Sequence, residues 1–97
     1  MKLQDFIVSR QTELIQIYIT ERTNNGYGVL YINLTNKSKA DVSFVPINSD
    51  ILSEDLKKDI LEKKSKGPDS LAFFYGTELN DNNQPETILI QFDLAHK

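Results

Sequence analysis

Cysteine is missing from the 97-residue chain. With it go disulfides, thiolate nucleophiles, iron–sulfur clusters and cysteine-based zinc sites. Histidine occurs once, at the penultimate position, His96. A catalytic or metal-binding histidine needs a rigid mount and an orienting partner, which a chain end rarely supplies. No Gly-x-Ser-x-Gly elbow is present to activate a serine. An enzyme is therefore not expected, nor is a metal or other cofactor. No apolar run approaches the ~20 residues that span a bilayer. The opening Met1-Lys2-Leu3-Gln4-Asp5 is too polar for a signal peptide. A cytoplasmic protein without a membrane partner is expected. Charge of one sign is also lacking: the net charge is −3, without a block of either sign. That balance disfavours nucleic acid, which would call for a basic surface.

What is present suits one α+β domain over residues 1–97. The hydrophobic and charged fractions, 39% and 26%, are those of an ordinary globular chain, and the length allows one core. Residues 2–11, "KLQDFIVSRQ", place Leu3, Phe6 and Ile7 on one stripe of a short helix. From Leu14 to Glu21, "LIQIYITE" alternates Ile15, Ile17 and Ile19 against Gln16, Tyr18 and Thr20, the pattern of a half-buried strand. "YGVLYINLT" (27–35) and "ADVSFVPI" (40–47) alternate likewise, so three strands joined by short polar turns predict an antiparallel meander. Pro46 belongs at a strand end or on an edge.

The second helix is signposted at both ends. Ser53 is placed as N-cap, with Glu54 and Asp55 in the first turn, and Leu52, Leu56 and Ile60 form the apolar face. Lys63, Lys64 and Lys66 precede the stop at Gly67-Pro68. "SLAFFYGTE" (70–78) is apolar on both faces, as a central strand would be. "TILIQFDL" (87–94) alternates, and the polar loop "LNDNNQP" joins the two. The expected order is α-β-β-β-α-β-β: one mostly antiparallel five-stranded sheet with both helices on one face.

Two stretches invite a chemical reading. Gly26-Tyr27-Gly28 would need a helix behind it to cradle a phosphate. A strand pattern follows instead, so Asn25-Gly26 is expected to be a hairpin turn. Gly28 is then a bulge, or a place where a side chain lies close over the backbone. Asp81, Asn82, Asn83 and Glu86 have the chemistry of calcium ligands, but the loop is short and lacks the central glycine of an EF-hand. It is expected to be a solvated hairpin connection.

The remaining functional signal is a surface. If the helices cover the face carrying Leu30, Ile32 and Leu34, the opposite face presents Leu14 together with the five residues expected to bind, Tyr18, Val29, Tyr31, Val45 and Leu89. Tyrosine is a residue type that interfaces favour. The expected function is thus a small non-catalytic protein-binding protein: an inhibitor, an immunity-type protein or a chaperone-like adaptor, acting as a homodimer through that sheet face. The alternative is a single-stranded nucleic-acid binder stacking bases on Tyr18, Tyr31 and Tyr75. No residue motif identifies a family. The expected element order resembles that of the small acidic type III secretion chaperones, a resemblance of layout that implies dimerisation.

Overall fold

The computed structural model describes residues 2–36, 39–64 and 71–94. Three helices and four strands follow one another as α1 (Leu3–Ser9), α2 (Gln11–Asn25), β1 (Gly28–Asn36), β2 (Lys39–Pro46), α3 (Glu54–Lys64), β3 (Leu71–Leu79) and β4 (Pro85–Asp93). The fold is α+β, but it departs from the expected layout in three ways.

First, residues 14–21 are helical. Their alternation is real, yet a second period runs through the same residues. Leu3, Ile7, Leu14 and Tyr18 recur at steps of four and seven, and together with Phe6 and Ile15 they are the buried residues of α1 and α2. Packing overrides the strand propensity of the isoleucines, and Ile19, at the margin of the buried stripe of α2, is left exposed. Local bonds agree: the Thr23 hydroxyl donates to the Ile19 carbonyl, and the Asn25 amide to Glu21, one turn apart. Arg10 separates the two helices. Its N–H is shared between the Phe6 and Ile7 carbonyls, and its guanidinium grips Glu13 and lies over the Phe6 ring.

Second, the sheet has four strands and is mixed. Its order is β2-β1-β3-β4. The outer pairs are antiparallel hairpins, whereas the central pair, β1 and β3, is parallel, with Leu30 opposite Phe74 and Tyr31 opposite Tyr75. The meander fails because the segment assigned as its first strand is α2. That leaves the inner edge of β1 open, and the chain returns through α3 to lay β3 along it. The expected place of β3 as a central strand holds: Ala72 to Tyr75 are buried on both faces.

Third, the helices do not share a face. On one side α1 and α2 close over Leu30, Ile32, Leu34, Ala72 and Phe74. On the other, Leu52 and Ile60 of the α3 region bury Val29, Val45 and Phe73. A two-residue period makes this unavoidable, since β3 carries phenylalanines at consecutive positions and each needs its own cover. The layout resemblance to secretion chaperones falls with the three-strand meander.

Three local expectations hold. The Ser53 hydroxyl accepts the Leu56 N–H and caps α3. The Asn80 side chain accepts the N–H groups of Asn82 and Gln84, and Asn83 takes a left-handed φ of 60°, closing the β3–β4 turn. Gly28 is a point of close approach: a Cβ there would meet the Val45 carbonyl and the Phe44 ring. Gly26, by contrast, does not turn a hairpin. At φ 83° it ends α2, its N–H bonded to the Arg22 carbonyl. The Gly67-Pro68 stop, Lys66 and His96 lie outside the described residues.

Candidate protein-binding face

The five residues expected to share one exposed face are divided by the fold. Tyr18 sits in α2, on the other side of the sheet from Tyr31, fully buried with its ring tilted against Phe44. Burial, followed by the neighbouring Tyr27 hydroxyl, pushes its pKa well above the usual tyrosine value, against an opposing pull from Arg22. Val29 and Val45 are on the expected face but lie buried under α3. Tyr31 and Leu89 remain there half-buried.

What surrounds those two is the open half of the α3 side. Tyr31 and Tyr75 stand side by side as parallel-register partners, their ring centroids 5.2 Å apart. Two residues further along β3, Thr77 lies at hydrogen-bonding distance from the Tyr31 hydroxyl, 3.0 Å away. β3 therefore holds the Tyr31 ring at its side and at its tip. Next to this pair a cleft of about 410 Å³ opens between the start of α3 and the β3–β4 hairpin, lined by Ser53, Leu56, Tyr75, Thr87, Ile88 and Leu89. Aliphatic residues and hydroxyl-bearing residues line it together.

Thr77, Ser53 and Leu56 join the site without having been grouped with it from the sequence, and Tyr75, grouped with Tyr31 only for the nucleic-acid alternative, joins it too. Tyr75 shares its strand parity with Phe73, which was readable. That Tyr75 would stand beside Tyr31 depended on the parallel pairing, which no local pattern encodes. A second apolar patch, also unforeseen, lies on the outer side of α3. Ile51 and Leu61 are exposed there, beside a cleft of about 400 Å³ lined by Ile47, Asn48, Glu54, Lys57 and Lys58 as well as Leu61.

Lys57 and Lys63 are each held by an acid one turn away on α3, Glu54 and Asp59. Among the described residues no group of three potential metal ligands comes together, and no helix is long and apolar enough to cross a membrane. No protein-family model, no curated protein and no solved structure matches the chain.

Proposed function

We propose that this is a small non-catalytic protein that binds another protein through the open half of its α3-side sheet face, and that it works as a homodimer. The observation that carries this reading is the fixed tyrosine pair, Tyr31 against Tyr75, beside a cleft lined by both aliphatic and hydroxyl-bearing residues. Tyrosine contributes large amphipathic contact area at low entropic cost, and the Thr77 contact lowers that cost further by holding the ring in place. Val29 and Val45 act from beneath, by seating α3. Leu89 forms the far wall.

The test is capture from a lysate of the source cell with the wild-type chain and with Tyr31→Glu as bait. The partner is a protein retained by the wild type and lost with the variant, whose circular dichroism stays unchanged. If both baits retain the same proteins, the face is not the binding surface. A single-stranded nucleic acid stacked on the tyrosines would instead be released steeply as salt rises.

A further inference from the structure

The two edges of the sheet are not equivalent. β2 carries devices that discourage pairing, Lys39 at one end and Pro46 at the other, and its partner β1 breaks register between Leu34 and Asn36. Helix α2 also packs over it. β4 has Pro85 at its first position and no lysine, and its pairing with β3 runs from Leu71–Asp93 to Leu79–Pro85 without a bulge. It is a straight, nine-residue edge whose Ile88, Ile90 and Phe92 are only half-buried.

The backbone phase of that edge follows from the turn. The Asn80 N–H donates to the Gln84 carbonyl, so this pair is a hydrogen-bonded one. Antiparallel ladders alternate, and the register is unbroken. Glu86, Ile88, Ile90 and Phe92 therefore turn their N–H and C=O groups towards β3. Thr87, Leu89 and Gln91 turn theirs outwards, to the free edge.

We infer that this edge pairs antiparallel with β4 of a second copy of the chain, about a two-fold axis at Leu89, making one continuous eight-stranded sheet. The inference rests on the homodimer reading above and gives that dimer its seam. Leu89 is the midpoint of Pro85–Asp93, so this antiparallel register alone pairs the whole strand with its copy. It sets Leu89 opposite Leu89, Thr87 opposite Gln91 and Ile88 opposite Ile90 of the second copy. Every outward donor then meets an outward acceptor, because the odd positions pair with odd positions. The charges are compatible as well. Glu86 faces Phe92 of the second copy and Asp93 faces Pro85, so no carboxylate meets another in a chain of net charge −3. The two open tyrosine faces become neighbours across the seam.

The experiment is amide hydrogen exchange on the wild-type chain at high and low concentration, with the mass followed by sedimentation. At high concentration the mass is about twice the 11.1 kDa of one chain, and the amides of Thr87, Leu89 and Gln91 are protected. On dilution the mass halves and those amides lose protection, while Glu86, Ile88 and Ile90 keep theirs. Gln91→Pro removes an outward donor that β3 does not use, as an edge strand tolerates. It should stay folded and lose the dimer. A dimer whose Thr87, Leu89 and Gln91 amides exchange freely overturns the edge pairing and leaves the dimer standing. A monomer at every concentration overturns both, with face binding still read separately through Tyr31→Glu.

Discussion

Phe73 and Phe74 are neighbours in the chain, both fully buried, and they lie on opposite faces of β3. The contrast between their surroundings runs through the whole molecule. Phe74 belongs to a cluster closed by two helices, in which Leu3, Ile7, Leu14, Ile15 and Tyr18 reach down to the sheet and Phe92 meets its ring edge-on, 5.3 Å away. Even the backbone accommodates this cover. Gly76 has no Cβ where the Leu3 side chain and the Ile32 carbonyl approach. Phe73 belongs to a smaller cluster roofed by one helix, and beyond that roof the same face opens into the Tyr31–Tyr75 pair. One face is spent on stability and the other is divided between stability and exposure. Both faces keep half-buried apolar residues at their margins, Ile88, Ile90 and Phe92 on the α1–α2 side and Tyr31 and Leu89 on the α3 side; what sets the α3 side apart is its tyrosine pair, and the binding proposed above is placed there for that reason.

The comparison can be broken most strongly at its closed side. Phe74→Ala should cost about 3–5 kcal/mol in urea unfolding, the range for deleting a buried aromatic ring that cannot be replaced by collapse. Ile60→Ala, beneath the single roof, should cost about 2 kcal/mol, the low end for such a truncation, because one helix can settle more easily than two. If the Ile60 variant proved the less stable of the two, the closed face would not be the principal core.

The next effect sharpens the open side. Tyr31→Phe should cost about 1 kcal/mol through the lost contact with Thr77, and a double-mutant cycle with Thr77→Val should show the two changes to be non-additive. Smaller still is the strand pair Glu78 and Glu86, two acids directly opposite one another on β3 and β4. Glu86→Lys should stabilise by about 0.5 kcal/mol, measured as a shift in the urea midpoint. The last prediction is silent at neutral pH. The Tyr18 pKa is raised above 10.0 in the folded chain, so the folded state holds its proton where the unfolded state releases it. Stability should therefore fall as pH rises above about 10, and Tyr18→Phe should flatten that fall.

Much of this was legible in the residues. The cap at Ser53, the apolar face of α3, the Asn-rich turn between β3 and β4, the alternation of β1, β2 and β4, and the continuous apolar run of β3 are local signals, each with a local cause. The close approach at Gly28 was readable too, because a glycine inside a strand pattern needs a reason. The opposition of Leu30 and Tyr31 across β1 was readable as well, though not which helix covers which face. Two further things were not. In residues 14–21 a period of two and a helical stripe coexist, and only the packing of Leu14 and Tyr18 against the sheet decides between them. The parallel pairing of β1 with β3 joins segments more than forty residues apart in the chain, and no turn specifies it. The candidate site depended on both. With residues 14–21 read as a strand, Tyr18 was placed on the binding face. Once they are helical, it moves to the opposite side and becomes core, while Tyr75 takes its place beside Tyr31.

The most direct test of the account is a paired capture with Tyr31→Glu on the open face and Ile19→Glu at an exposed position of α2 as the matched control. A partner protein should be retained by the wild type and by Ile19→Glu and lost with Tyr31→Glu, all three chains keeping the same circular dichroism. Retention by Tyr31→Glu, or equal loss with both variants, would contradict the assignment of binding to the α3-side face.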